Sequence, residues 1–177
     1  MPVPVAPTTA VLGQPASAGA QFNALATRAG YLIGGYPLFI GRQATVQSIP
    51  SGVWTAVSLD AHDIDRDAGH SLTVNNSRYV SQTAGWYEIQ SAGSFANATS
   101  GRRVIRLQNG GGTVPGSGAG GPPPGSTQAL TLQTTALFYI AVGDYMELAM
   151  YQDSGAAIST SVNAQELSRL VCRWVST

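Results

Sequence analysis

Residues 136–155 read ALFYIAVGDYMELAMYQDSG. Two apolar runs, Leu137 to Val142 and Tyr145 to Tyr151, flank a single Gly143-Asp144 pair. Gly and Asp side by side between β-rich runs predict a tight antiparallel hairpin. In the second run Met146, Leu148 and Met150 fall on one face of a strand, and Tyr145, Glu147, Ala149 and Tyr151 on the other. That second face is aromatic and amphipathic instead of plainly polar. Such a strand is expected to be buried on one side and in contact with something on the other.

Outward from this stretch the strand pattern continues in both directions. After it come Ala156 to Asn163 and then Leu167 to Val175, where Leu170, Cys172 and Trp174 share a face. Before it lie Leu130 to Val142, Arg102 to Asn109, Gly85 to Phe95, Arg78 to Ser81, Val53 to Leu59 and Leu38 to Gln47. Asp60 to Asn76 reads as a polar loop. Residues 110–127, rich in Gly and Pro, read as a long surface insertion that cannot order itself, or as a contact loop that orders on a neighbour. About eight to ten short, turn-punctuated strands imply an antiparallel sandwich or barrel.

The front of the chain differs. Residues 1–15 carry four prolines and read as an extended arm. Ser17 can cap a helix over residues 17–29, with Ala18, Phe22, Leu25 and Ala29 at helical spacing and Gly30 as the stop. One narrow apolar stripe cannot hold a helix alone, so this element must dock on something. The division expected is an anchoring arm with a short helix (1–35) and a β-rich head (36–177).

Composition narrows the function. Only 10% of the 177 residues are charged and the formal net charge is zero. A free monomer draws solubility from charge; so little of it suits a surface covered by copies of itself or by neighbours. The nine basic residues are all Arg, which a GC-rich coding bias explains as simply as a preference for bidentate contacts. Their scatter gives no electrostatic footprint for nucleic acid. No run approaches the roughly 18 apolar residues of a membrane span, and MPVPVAPTTA lacks the pattern of a secretory signal. Cys172, the one cysteine, allows no disulfide framework.

Five segments, in order, resemble the complement globular-head and tumour-necrosis-factor-like jelly-roll family. Trp54 with Leu59-Asp60 is similar to its opening strand, and Asp63 to His70 followed by Ser77-Arg78-Tyr79 to a stretch of its bacterial and phage members. Thr83-Ala84-Gly85-Trp86-Tyr87 resembles the turn into a core strand. Gly101-Arg102-Arg103 with Asn109-Gly110, and Gly143-Asp144-Tyr145, resemble two later strands. The resemblance implies an all-β, antiparallel jelly-roll β-sandwich, here preceded by an arm and helix, and a homotrimer. The proline-rich arm, Ala-rich helix and Tyr36-Pro37 also look like the start of tailed-bacteriophage structural proteins.

Three kinds of site follow. Asp63, Asp65 and Asp67 alternate like the opening of a calcium loop, and the flanking His62 and His70 are transition-metal ligand types. Yet Gly falls one position late for an EF-hand and no Glu closes the loop. A hydrogen-bonded turn with an internal Asp–Arg pair is the simpler reading, so no cofactor is expected, with calcium left open by the Asp spacing. Catalysis lacks a motif: Ser71 beside His70 has no orienting acid or oxyanion hole, and the chain is expected not to be an enzyme. Trp86, Tyr139, Tyr145 and Tyr151 are candidates for a threefold interface, where aromatic rings supply area at low entropy cost; singly, each serves equally well as core.

The expectation is therefore a non-enzymatic virion structural protein, assembled in the host cytoplasm. It would be trimeric and anchored to other virion proteins through residues 1–35, as a capsid decoration or a tail or baseplate appendage. Its loops would serve particle stability or attachment to a host-surface glycan, without nucleic-acid binding or membrane insertion. The alternative is a lectin-like carbohydrate-binding module working through the Asp60–His70 loop with calcium.

Overall fold

The computed structural model describes residues 18–125 and 127–177. The chain forms two compact units, Met1–Tyr36 and Pro37–Thr177. The expected arm over residues 1–15 and the capping Ser17 lie outside the described residues. In the first unit, helix α1 spans Ala18–Gly34 and runs through Gly30, where a stop was expected. The left-handed residue that ends it is Gly35, at φ 77°. An interior glycine costs only about 1 kcal/mol, which a helix can absorb. Phe22 and Leu25, from the expected apolar stripe, are exposed.

The second unit is built of antiparallel strands. They are β1 (Leu38–Arg42), β2 (Ser48–Ile49), β3 (Thr55–Ala56), β4 (Ala61–Asp65), β5 (Tyr79–Val80), β6 (Gly85–Phe95), β7 (Arg103–Asn109) and β8 (Gly112–Thr113). Then follow β9 (Ala119–Gly121), β10 (Leu130–Ile140), β11 (Tyr145–Gln152), β12 (Ile158–Ser159), β13 (Val162–Asn163), β14 (Glu166–Leu167) and β15 (Arg169–Ser176). One sheet runs β10-β6-β15-β1-β4; the other runs β3-β11-β7-β8, with β5 beside β11 and β9 beside β7. Between them lies one core, with Phe39, Tyr87, Ile89, Phe95, Leu170 and Cys172 from the first sheet against Ile105, Leu107, Met146, Leu148 and Met150 from the second. The result is a jelly-roll sandwich.

The alternation that marked β6, β7, β10 and β11 is the reason they lie where they do. On β6, Tyr87, Ile89 and Phe95 turn inward while Trp86, Glu88 and Gln90 turn out. Met146, Leu148 and Met150 are fully buried as their spacing implied. Two glycines permit close approach, Gly93 between the sheets and Gly85 within the first sheet against β15. A Cβ on Gly93 would stand 2.6 Å from Ile105 Cγ2, and one on Gly85 would stand 2.3 Å from Trp174 Nε1. Gly85 also takes φ 152°, which L side chains seldom adopt.

Three expectations are corrected. Gly143-Asp144 makes a tight turn, with the Asp144 N–H donating to Ala141 O, but it joins no hairpin. β10 pairs with β6 and β11 with β7, so the turn carries the chain from one sheet to the other. Ser81 holds it there: its N–H donates to Asp144 O and its carbonyl accepts from Gly143 N–H. Asp60 to Asn76 is not all loop, since AHDID forms β4 on the edge of the first sheet beside β1. Polar residues suit an edge strand wetted on one side. The Gly/Pro stretch is not a bare insertion either. β8 and β9 both add to β7, Val114 is buried, and the buried Ser117 hydroxyl accepts from Leu107 N–H while donating to Val114 O. A side chain thus satisfies backbone groups that the glycines leave without a ladder.

Candidate functional site

The outer face of the five-stranded sheet is assembled row by row from the strand registers. Tyr139 stands opposite Trp86, and Leu137 opposite Glu88, which faces Arg173 and then Leu38. In the next row Thr135 meets Gln90, Val171, Ile40 and Ile64. Period-two geometry sends all of these away from the core. At the β10 end Leu137 is 63%, Tyr139 48% and Trp86 43% exposed. The Trp86 and Tyr139 rings meet edge to face at 5.9 Å, the arrangement aromatic quadrupoles prefer.

Two ion pairs lie on this face, and the exposed Arg169 adds a further cation opposite Arg42. Arg173 forms an ion pair with Glu88, and Arg42 pairs with Asp63 at 3.0 Å. The Gln90 amide and the Arg173 guanidinium hold the Glu88 carboxyl below its usual range. An exposed apolar and aromatic patch bordered by paired charges is the composition of a protein–protein contact.

Of the four aromatic candidates, the structure brings Trp86 and Tyr139 together and sets Tyr145 and Tyr151 apart on β11 of the other sheet. The Arg78 guanidinium lies 4.0 Å from the Tyr145 ring centroid, and Tyr151 packs against Trp54 at 5.3 Å. Arg106 covers Trp54 at 3.8 Å. Arg78 and Ser77 also bind the buried Glu147 carboxylate, at 3.1 and 2.6 Å. This second aromatic face is engaged by its own chain. Leu137 was missed in the sequence because it reads as one more apolar residue of a run; only the register shows it facing out.

The Asp60–His70 loop sends its carboxylates to different partners. Asp63 goes to Arg42, and Asp65 accepts from Gly69 N–H and His70 N–H. Asp67 accepts from Tyr79 O–H at 2.7 Å. Burial pushes the Asp67 carboxyl up, against the pull of that hydroxyl. Among the described residues no three His, Cys, Asp or Glu side chains converge as a metal group. Asp60 sits elsewhere: burial alone would raise it, but the Ala44 N–H and its neighbours at Thr45 hold it low. The aromatic rings at this loop, Phe39 and Tyr79, stack on each other at 5.1 Å and are fully buried. Ser71 Oγ accepts from Val74 N–H, closing a turn. Cys172 is buried, and burial raises its thiol well above the usual value.

No protein-family model matches the chain, and no curated protein sequence matches it. Solved structures do. The PRD1 vertex protein P5 is similar over 80% of this chain and 98% of its own, at 16% identity and a TM-score of 0.58. The globular domain of zebrafish complement 1qA covers 78% of this chain and 96% of its own, at 11% identity and a TM-score of 0.53. The Eiger TNF from S. frugiperda covers 80% and 94%, at 6% identity and a TM-score of 0.59. At these identities what is shared is the architecture, a tumour-necrosis-factor-like jelly roll.

Proposed function

We propose that this protein is a non-enzymatic structural component of a phage virion, whose head forms a homotrimer and whose first 35 residues attach it to other virion proteins. The observation that carries the reading is the exposed Trp86–Tyr139–Leu137 patch on the outer face of the five-stranded sheet. Three such heads around one axis would each cover the patch of a neighbour and hide the β10 edge. The likeness to a vertex protein and the exposed Phe22 and Leu25 on the helix support placement on a particle. Trimeric display multiplies individually weak loop contacts by effective concentration.

Sedimentation of the purified chain tests the assembly: a mass near three times 18.3 kDa is expected. Leu137→Arg should shift the species to monomer, because an unpaired charge would be buried in each contact. Tyr151→Ala, on the self-engaged face, should leave the mass unchanged. A wild-type chain that sediments as a monomer would refute the assembly.

A further inference from the structure

The protein has two histidines, eight residues apart in sequence, and the fold brings them together. His62 lies on β4. His70 lies past the turn, where it bridges to Tyr79. Their Nδ1 atoms face each other at 3.4 Å. That is long for a hydrogen bond between ring nitrogens. It is the separation two ligands adopt on one tetrahedral ion: imidazole nitrogens each about 2.0–2.1 Å from zinc lie about 3.3–3.4 Å apart.

The tautomer of His70 is set by its far side. Its Nε2 lies 3.1 Å from the carbonyl oxygen of Asn76. A carbonyl only accepts, so Nε2 carries the proton and Nδ1 turns a lone pair towards His62. A backbone carbonyl on the distal nitrogen is the support that metal-bound imidazoles usually have. The carbonyl is itself fixed, because it also accepts from Leu59 N–H. The ring rests on Phe39 at 4.9 Å, and Asp65 holds the backbone N–H of His70. His62 is exposed, which leaves an open approach and room for water to complete a coordination sphere.

We propose that His62 and His70 chelate a divalent transition cation of the imidazole-preferring class, Cu²⁺, Zn²⁺ or Ni²⁺, through both Nδ1 atoms. The ion would clip edge strand β4 to the loop that follows it. Binding to the folded chain alone then raises stability by mass action. This inference is independent of trimer formation and of the aspartates.

The test uses the full, untagged chain, titrated calorimetrically with ZnCl₂ and CuCl₂ and with MgCl₂ as control. One transition ion per chain is expected, together with a rise in melting temperature that chelator reverses and no response to Mg²⁺. Nitrogen-15 imidazole spectra should show both Nδ1 resonances moving and the Nε2 resonances keeping their protons. His62→Ala, a change at an exposed position, should weaken Zn²⁺ binding at least about tenfold, since even outer partners of such ligands are worth that much. No binding by the wild type would overturn the proposal. So would equal affinity in the variant, or a spectrum in which one ring alone responds.

Discussion

Among the described residues Arg103 is the largest side chain with no solvent exposure, and it is a cation. Its Nη1 donates to Arg102 O at 3.3 Å, while Nε and Nη2 are buried without a hydrogen-bond partner. Burial lowers its affinity for its proton, only partly offset by Asp153. A buried charge so poorly matched costs stability that an apolar residue of like length does not. Arg103→Met is therefore expected to leave the urea midpoint unchanged or raise it, by up to about 3 kcal/mol in unfolding free energy. A clear loss would mean that the guanidinium serves a partner of its own.

Asp67 poses a second question at this scale. Its folded carboxyl titrates above the ordinary 3.8, so between 3.8 and its raised value the folded chain keeps a proton that the unfolded chain has lost. Its contribution therefore falls as pH rises through that window and stays low above it. Glu88 and Asp60, held below their usual values, act in the opposite sense at lower pH. Asp67→Asn keeps an acceptor for the Tyr79 hydroxyl. Subtracting its stability–pH curve from that of the wild type should isolate a difference that falls from 3.8 upward and then levels off.

At the scale of elements, the two compact units make a direct prediction. A chain reduced to 37–177 should keep its β-sheet circular dichroism and unfold cooperatively, yet fail to co-purify with particles. If the truncated head still joins particles, attachment does not run through the front of the chain. The elements also show what local sequence encodes. β6, β7, β10 and β11 were legible because alternation reports which face is buried. β4 was not, since AHDID offers only Ile64 as a large apolar residue and gains its strand form from pairing with β1. Gly143-Asp144 announced a turn correctly, but a turn signal carries no information about which strand its exit will pair with. The order of residues 112–121 rests on pairing with β7, the burial of Val114 and the Ser117 hydroxyl, none of which composition alone reveals. Of the candidate face, Trp86 and Tyr139 were visible as aromatics. Their contact exists only once distant strands are in register, whereas His62 and His70 meet across a local turn whose path the sequence does not spell out.

For the molecule as a whole, low charge and an exposed aromatic patch point the same way. A stable protein contact typically buries on the order of 1,600 Å², so the neighbouring Leu38, Ile40, Ile64 and Val171 of the same sheet face would have to join Trp86, Leu137 and Tyr139. Substituting Val171 by Asp should then loosen the trimer as Leu137→Arg does, read as a mass that falls on dilution. β1 and β15 pair antiparallel, and Trp174 N–H donates to Pro37 O. The polypeptide therefore enters the head and reaches Thr177 at one and the same pole. The turns around 96–102 and 153–157 gather at the other. With the head anchored through residues 1–35, as proposed, a cargo fused behind Thr177 would crowd the anchored pole, whereas an epitope spliced into those turns would be carried outward.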